Sequence, residues 1–336
     1  MTLSDQLQAY LSDLWATEVV VHDLARIPGG ASRETYRFDA VMNGERKGLI
    51  LRRDPPDSLI DTDRRIEYLA FESFHGRGLP VPEPLVLDER GGTLERPFFL
   101  MGRIDGGKAA SPFSVQAYEP HCQTLGEQFF TALGQIAAAD PATLPIARAA
   151  PTPAADACWS RELAYWEGEI DKDELHPQPI TRAAIRWLRA NPPPPAQKIS
   201  VVHGDYRSGN FMHDGEGRIV ALLDWEMAHI GDPLEDLGWA IDPLWGHPDG
   251  EGRAAALIPR AEAIAIWERT SGLVADPVAL RWWSIFNAVK GMGIWISAAK
   301  AFRDGGCIDP VLGFSGLYCA RRHDEIIAGY LAEVSA

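Results

Sequence analysis

Alternating apolar residues and tight-turn signals fill the first hundred residues, helical periodicity fills most of the rest, and a short β-rich insert interrupts the helical stretch. These three observations predict an α+β fold. A small antiparallel β region carrying one helix precedes a larger, mainly helical region, and a cleft forms where the two meet. The 336 residues, 46% of them hydrophobic, suffice for one large core or two modest ones.

Taken in order, residues 4–15 read as a short amphipathic helix after Ser4, and Val19–Leu24 as a strand. Pro28-Gly29-Gly30-Ala31-Ser32 is a turn-rich loop. Tyr36, Phe38 and Ala40 alternate with Arg37 and Asp39, the pattern of a half-buried strand, and Asn43-Gly44 is a hairpin turn signal. Leu49-Ile50-Leu51 continues as the next strand and ends in Arg52-Arg53. Ile66, Leu69, Ala70 and Phe74 share one face of a helix over 62–76, stopped by Gly76 and Gly78. Leu85-Val86-Leu87 and Pro97–Ile104 read as two more strands. The texture changes at Asp105-Gly106-Gly107, which predicts one lobe over residues 1–104 and a second over 105–336. Helical patterns then run over about 115–138, 156–170, 180–190, 251–271, 278–303 and 315–333, with the β-rich insert at 198–226.

Composition excludes several classes. Lys plus Arg total 32 against 47 Asp plus Glu, a net charge of -15 spread along the chain, which argues against a duplex nucleic-acid partner. The start, MTLSDQLQAYL, lacks a basic region followed by an apolar run, and no window reaches the apolar length of a membrane helix. Cys122, Cys158, Cys307 and Cys319 form no C-x-x-C pair and no zinc-ligand spacing. A protein of the cytoplasm with reduced thiols and no membrane partner is expected.

The chemistry concentrates in Val201-Val202-His203-Gly204-Asp205-Tyr206-Arg207-Ser208-Gly209-Asn210. An apolar strand ends in His-Gly-Asp, and an Asn follows the Asp by five positions. A second apolar strand, Ile219–Leu223, ends in Asp224-Trp225-Glu226. Two carboxylates and a carboxamide at neighbouring strand ends converge. Mg²⁺ takes oxygen ligands of this kind together with phosphates and water. Phosphoryl transfer asks for that metal, a positioned hydroxyl and a carboxylate to receive its proton.

The H-G-D-x-x-x-x-N segment followed by apolar-D-W-E resembles the motifs of the aminoglycoside phosphotransferase/choline kinase family, itself similar to protein kinases. The resemblance implies a bilobal, protein-kinase-like fold and a small-molecule kinase that moves the γ-phosphoryl of ATP, or GTP, to an alcohol. It implies Asp205 as the catalytic base, Asn210 and Asp224 as Mg²⁺ ligands, and His203 and Gly204 as loop-shaping residues. The family's strand Lys, which pairs with nucleotide phosphates, is matched here by Arg52, or by Arg53 if the register shifts by one; Arg is not equivalent to Lys at such a site. Glu67, with Glu72 as second candidate, matches the helix Glu that orients this cation. Gly30 and Ser32 sit where the family covers the phosphates, and Gly102 and Ile104 where it meets the adenine edge. Gly231-Asp232-Pro233 resembles the family's G-D-P element. There Asp232 is expected to cap the helix starting at Pro233, and Asp236 to be structural.

The Leu-Arg-Arg-Asp-Pro-Pro and Asp-Trp-Glu-Met-Ala patterns are most similar to phosphotransferase domains found beside acyl-CoA dehydrogenases. This puts a hydroxylated acyl-CoA beside an aminoglycoside as acceptor. A nucleotide-binding module without transfer activity is the rival reading, suggested by the missing Lys and opposed by Asp205. In 280–302, Trp282, Ile285, Phe286, Val289 and Ile296 form a core stripe, and Trp283, Asn287 and Lys290 lie off it, toward the cleft.

Overall fold

The computed structural model describes residues 1–27, 34–54, 63–109, 114, 118–246, 252–305 and 310–335. Gly30 and Ser32 therefore lie outside the described residues. Helix α1 (Leu3–Leu14) starts in a capping box, Thr2 and Asp5 each taking the other's backbone N–H. Strands β1 (Val19–Arg26), β2 (Glu34–Met42), β3 (Glu45–Arg53), β4 (Pro84–Asp88) and β5 (Phe98–Gly102) form one antiparallel sheet in the order β1-β2-β3-β5-β4. The β2–β3 hairpin turns at Asn43 and Gly44, both at positive φ (49° and 82°), as a two-residue primed turn requires.

The period-2 alternation of β3 divides the sheet into two faces. Leu49 and Leu51 join Leu7, Leu11, Phe38, Phe98 and Leu100 in a small core under α1. Ile50, Phe99 and Met101 face the other way, against α2 (Arg64–Phe74). This helix is capped by Asp63, which accepts the N–H groups of Arg65 and Ile66.

The second region comprises α3 (Cys122–Ala138), α4 (Cys158–Asp173), α5 (Pro179–Ala190), α6 (Leu234–Ala240), α7 (Arg260–Ser271), α8 (Pro277–Arg303) and α9 (Pro310–Ser335). Two helices begin later than their periodicity suggests. The 115–138 pattern becomes helix at Cys122, and the 251–271 pattern at Arg260, after a two-strand ribbon pairing Arg253–Ala254 with Ile258–Pro259. Conversely, α9 begins at Pro310, five residues before the predicted 315, with proline at its first position. α8 runs through the centre of the helical core and is buried on every side over most of its length. The β-rich insert supplies β7 (Ser200–Val202), β8 (Phe211–His213), β9 (Ile219–Leu222) and β10 (His229–Gly231). β7 pairs with β10, and β8 lies between β9 and β6 (Lys108–Ala109).

Candidate active site

β7 delivers its chain into His203-Gly204-Asp205, and three interactions shape this loop. Asp236 of α6, buried at 2% exposure, accepts the N–H groups of His203 (2.6 Å) and Gly204 (2.9 Å). Gly204 stands at φ +84°, where a Cβ would run into the Met227 carbonyl, so only glycine fits. The His203 ring donates from Nε2 to Leu223 O (2.9 Å) and accepts at Nδ1 from the Asp205 N–H (3.2 Å), a pattern that requires the neutral imidazole. Burial, opposed by Asp205 and Asp224, pushes its pKa down to about 4.

Asp205 is fixed through both carboxylate oxygens. Oδ1 accepts from the Trp239 indole N–H (2.7 Å) and Oδ2 from the Asn210 amide (2.7 Å), while Arg207 Nε spans both (3.1 and 3.2 Å). The Asn210 amide also reaches Asp205 O (2.9 Å). With its nitrogen committed, Asn210 turns its Oδ1 away from Asp205. The Leu223 N–H donates to Asn210 O (2.8 Å), which sets Asp224 beside Asn210. Asp224 itself has left-handed backbone (φ 66°, ψ 55°), an uncommon conformation for a non-glycine residue.

Arg52 crosses from the sheet to this end of the site. Its guanidinium is 12% exposed and meets three carboxylates: Glu67 at 3.2 Å, Asp224 at 3.4 Å and Glu226 at 3.1 Å. Burial pushes the guanidinium pKa down, but Glu67, Asp224 and Glu226 outweigh it and hold the group above its ordinary range. Arg53 lies on the opposite face of β3, hydrogen-bonded to Glu34 at 2.6 and 3.0 Å and over the Tyr36 ring. The structure thus brings Arg52, and not Arg53, to Asp224. Glu67 is buried against Arg52, whereas Glu72 pairs with Arg148 elsewhere.

Asp205, Asn210, Asp224, Arg52, Gly102 and Ile104 line one cleft of about 680 Å³ between the sheet and the helices. The Asp224 carboxylate, one-third exposed, and the Asn210 side-chain oxygen both belong to this cleft lining, and such an oxygen-only donor set suits a hard cation such as Mg²⁺ completed by phosphate and water.

The expected acceptor residues are corrected. Trp283, Asn287 and Lys290 are buried inside the helical region. Trp283 donates to Asp232, Asn287 to Glu235 O and Lys290 to Gly204 O. Because α8 is buried all round, lying off the apolar stripe does not place a residue at the surface. The cleft wall comes instead from the next turns, Ile294, Trp295 and Ala298, and from Val311 and Ser315 of α9. Asp232 accepts the Leu234 N–H (2.9 Å), although α6 starts one residue later than expected, with Pro233 rather than Asp232 at its N-cap. Two site residues had no role assigned by sequence: Glu226, visible only as the last letter of Asp-Trp-Glu, and Trp239, which carries no motif.

Residues 23–273 match the model of the phosphotransferase enzyme family. The chain belongs to that family. Viomycin phosphotransferase of Streptomyces vinaceus is 31% identical over 242 residues, 71% of this chain and 76% of the relative. Acyl-CoA dehydrogenase family member 11 of Gallus gallus is 27% identical over 197 residues, 58% of this chain but 25% of the relative. The chain therefore spans about a quarter of the length of such dehydrogenase relatives. Among solved structures, a Ralstonia eutropha chain described as an aminoglycoside phosphotransferase superposes with a TM-score of 0.74 at 22% identity, over 98% of both chains. Aminoglycoside phosphotransferase APH(4)-Ia, in a ternary complex with AMP-PNP and hygromycin B, gives 0.64 at 17% identity over 97% of this chain and 99% of that one. The phosphotransferase fold here is the bilobal, protein-kinase-like α+β arrangement. No helix among the described residues is long and apolar enough to cross a membrane.

Proposed function

We propose that this phosphotransferase moves the γ-phosphoryl group of ATP, or GTP, to the hydroxyl of a small alcohol in the cytoplasm. Residues 1–104 act as the nucleotide lobe, and 105–336 as the catalytic and acceptor lobe. The observation that carries the reading is the convergence, in one cleft, of a doubly oriented carboxylate, an oxygen pair for a cation and a buried Arg held by three acids. Trp239 and Asn210 hold the Asp205 carboxylate in one plane, and the acceptor hydroxyl takes the position of Arg207 Nε, which spans both oxygens, to pass its proton to the carboxylate. The hydroxyl oxygen forms the new P–O bond as the bond to the bridging oxygen breaks, and the nucleoside diphosphate leaves with that electron pair. Arg52, oriented by Glu67, meets the phosphates, and Gly102 and Ile104 meet the base. Asn210 and Asp224 would hold Mg²⁺, which supplies neutralisation of phosphate charge when bound. His203 is no alternative base, since both of its nitrogens are committed in the neutral form.

The acceptor half of the cleft favours an alcohol with an apolar body, such as a hydroxyacyl chain, over a polycation such as an aminoglycoside. Among the described residues, its wall is Trp239, Ile294, Trp295, Ala298 and Val311 with Arg207 and Ser315, and beside Asp205 the remaining lining carboxylates, Asp224 and Glu226, lie at Arg52, the phosphate end. A nucleotide-consumption screen with ATP and GTP against hydroxyacyl-CoAs, aminoglycosides, choline-like alcohols and sugars tests both readings. Acceptor-dependent turnover is expected, cut roughly 10²- to 10⁴-fold in Asp205→Asn with nucleotide affinity retained. Wild-type turnover in folded Asp205→Asn would refute the base assignment. Nucleotide binding without consumption on any acceptor would leave a binding module instead.

A further inference from the structure

Behind the cleft, four ionisable side chains, Glu235 and Lys290 buried and Glu162 and His229 largely so, occupy the space between α4, α6, α8 and β10. Glu235, fully buried at the start of α6, bonds Lys290 Nζ through Oε1 (2.8 Å) and His229 Nε2 through Oε2 (3.2 Å). Glu162 Oε1 lies 3.7 Å from the same His229 nitrogen. Glu162, His229 and Glu235 offer ligand-type atoms within 4.8 Å of one another, which by itself suggests a metal site. Two observations oppose that use. His229 Nδ1 faces Met227 O (3.1 Å) while Nε2 faces Glu235, so both ring nitrogens carry hydrogen and neither can ligate. The Lys290 ammonium, 1% exposed, already supplies a cation. The imidazolium is consistent with its surroundings: burial pushes it down, but Glu162 and Glu235 outweigh this and raise it to about 9.

Each cation has a second hydrogen bond, and these point to the two halves of the active site. Lys290 Nζ donates to Gly204 O (2.5 Å), the carbonyl immediately before Asp205. His229 Nδ1 donates to Met227 O, three residues after Asp224. Gly204 and Met227 also touch each other, since a Cβ on Gly204 would strike the Met227 carbonyl. We propose that Glu235, through Lys290 and His229, is a positioning element that sets the distance between the Asp205 loop and the Asp224 turn. Among the described residues lining the cleft, none of these three appears, so they act through the backbone rather than on substrate. A buried and a largely buried cation held by Glu235, with Glu162 shared between His229 and Arg161, suit such a task, because removing one partner leaves a charge uncompensated and shifts what it held. The inference rests on the reading of Asp205 as base and Asp224 as metal ligand.

The two cations serve different loops, so their variants differ in signature. Lys290→Met should lower turnover at saturating nucleotide and Mg²⁺ by about 10- to 100-fold, the scale of a displacement near 1 Å at a reacting group, with little change in nucleotide KM. His229→Gln should instead raise the Mg²⁺ concentration needed for half-maximal nucleotide binding by about tenfold in calorimetric titration. Slow nucleotide hydrolysis by water serves as the turnover assay, and amide hydrogen exchange gives a readout independent of activity. Exchange should rise in residues 203–210 for Lys290→Met and in 224–229 for His229→Gln, more than elsewhere. If Lys290→Met fails to fold, the Glu235→Gln/Lys290→Met double variant removes both charges, and because Glu235 also holds His229 its exchange should rise in both 203–210 and 224–229, with lowered turnover and a raised Mg²⁺ requirement together. Variants that lose stability yet keep wild-type turnover, Mg²⁺ requirement and local exchange would overturn the proposal. Asp205→Asn or Asp224→Ala behaving as wild type would overturn the underlying reading instead, so the two failures are distinguishable.

Discussion

Replacing Arg52 by alanine removes a cation that meets Glu67, Asp224 and Glu226 together at 3.1–3.4 Å. Glu67 is fully buried, so of the three acids it is the one that water serves least when the guanidinium is gone. Breaking a buried pair from one side costs about 3–5 kcal/mol. Against a total stability of about 5–15 kcal/mol, Arg52→Ala should remain folded but with a clearly lowered denaturant midpoint. Nucleotide binding should weaken separately. A charge-assisted hydrogen bond to phosphate contributes about 1.5–3 kcal/mol, equivalent to about 10- to 100-fold in Kd. Arg52→Lys restores the charge but not the fork that reaches Glu67 and Glu226 at once, so it should recover part of each loss. Arg53→Ala is the control. It breaks the Glu34 pair on the opposite face of β3, so stability should fall while nucleotide affinity stays near wild type. Urea denaturation and calorimetric titration with Mg²⁺-nucleotide, run on all three variants, separate the two effects. The reasoning fails if Arg52→Ala binds nucleotide as wild type does, or if Arg53→Ala is the variant that loses affinity.

Two further perturbations follow from the same geometry. Asp224→Ala should abolish the difference between nucleotide titrations with Mg²⁺ and with chelator, leaving the metal-independent part largely intact; an undiminished Mg²⁺ increment would remove Asp224 from the ligand set. His203 should give the protein an acid-sensitive stability. The unfolded chain takes up a proton below its ordinary value of 6.5, whereas the folded state resists until about 4, so stability present above pH 6.5 is lost as pH falls toward 4. At about 1.4 kcal/mol per pH unit this amounts to about 3 kcal/mol, and denaturation of His203→Gln between pH 7 and 4 should show a correspondingly shallower slope. An identical slope in the variant would assign the acid loss to other groups.

The sheet and α2 were readable because their signals are local: alternation in β2 and β3, an Asn-Gly turn, and one apolar helix face. The choice between Arg52 and Arg53 was latent in the same alternation. Arg53 shares a face with Leu49 and Leu51, Arg52 with Ile50, and it needed only the knowledge that the leucines cover α1. Asp205, Asn210 and Asp224 were legible because they sit within one short stretch of chain at strand ends. What escaped depends on long-range packing. Trp239 reaches Asp205 from 34 residues away, and nothing in its neighbours marks it. α8 has no polar face to give its rotation, so Lys290, expected toward the cleft, is buried against Gly204. Helix starts at Cys122 and Arg260 were blurred because the flanking apolar residues belong to other contacts, such as Ile258 against α3 at Gly126.

Phe74 of α2 stacks on Trp225 at 5.0 Å, and the Leu222 N–H donates to Pro80 O, so the helix of the sheet region is fastened to the strand end that carries Asp224. Phe71, Phe74 and Phe99 accordingly share a core with Trp225 and the helices beyond it. A cut in the chain near residue 104 would therefore sever a continuous interior rather than separate two modules, and either fragment expressed alone would expose aromatic rings to water. The same seam joins the two halves of the site: the helix that carries Glu67 and the strand end that carries Asp224 are packed on each other, so Arg52 meets both acids across a filled contact rather than across open water.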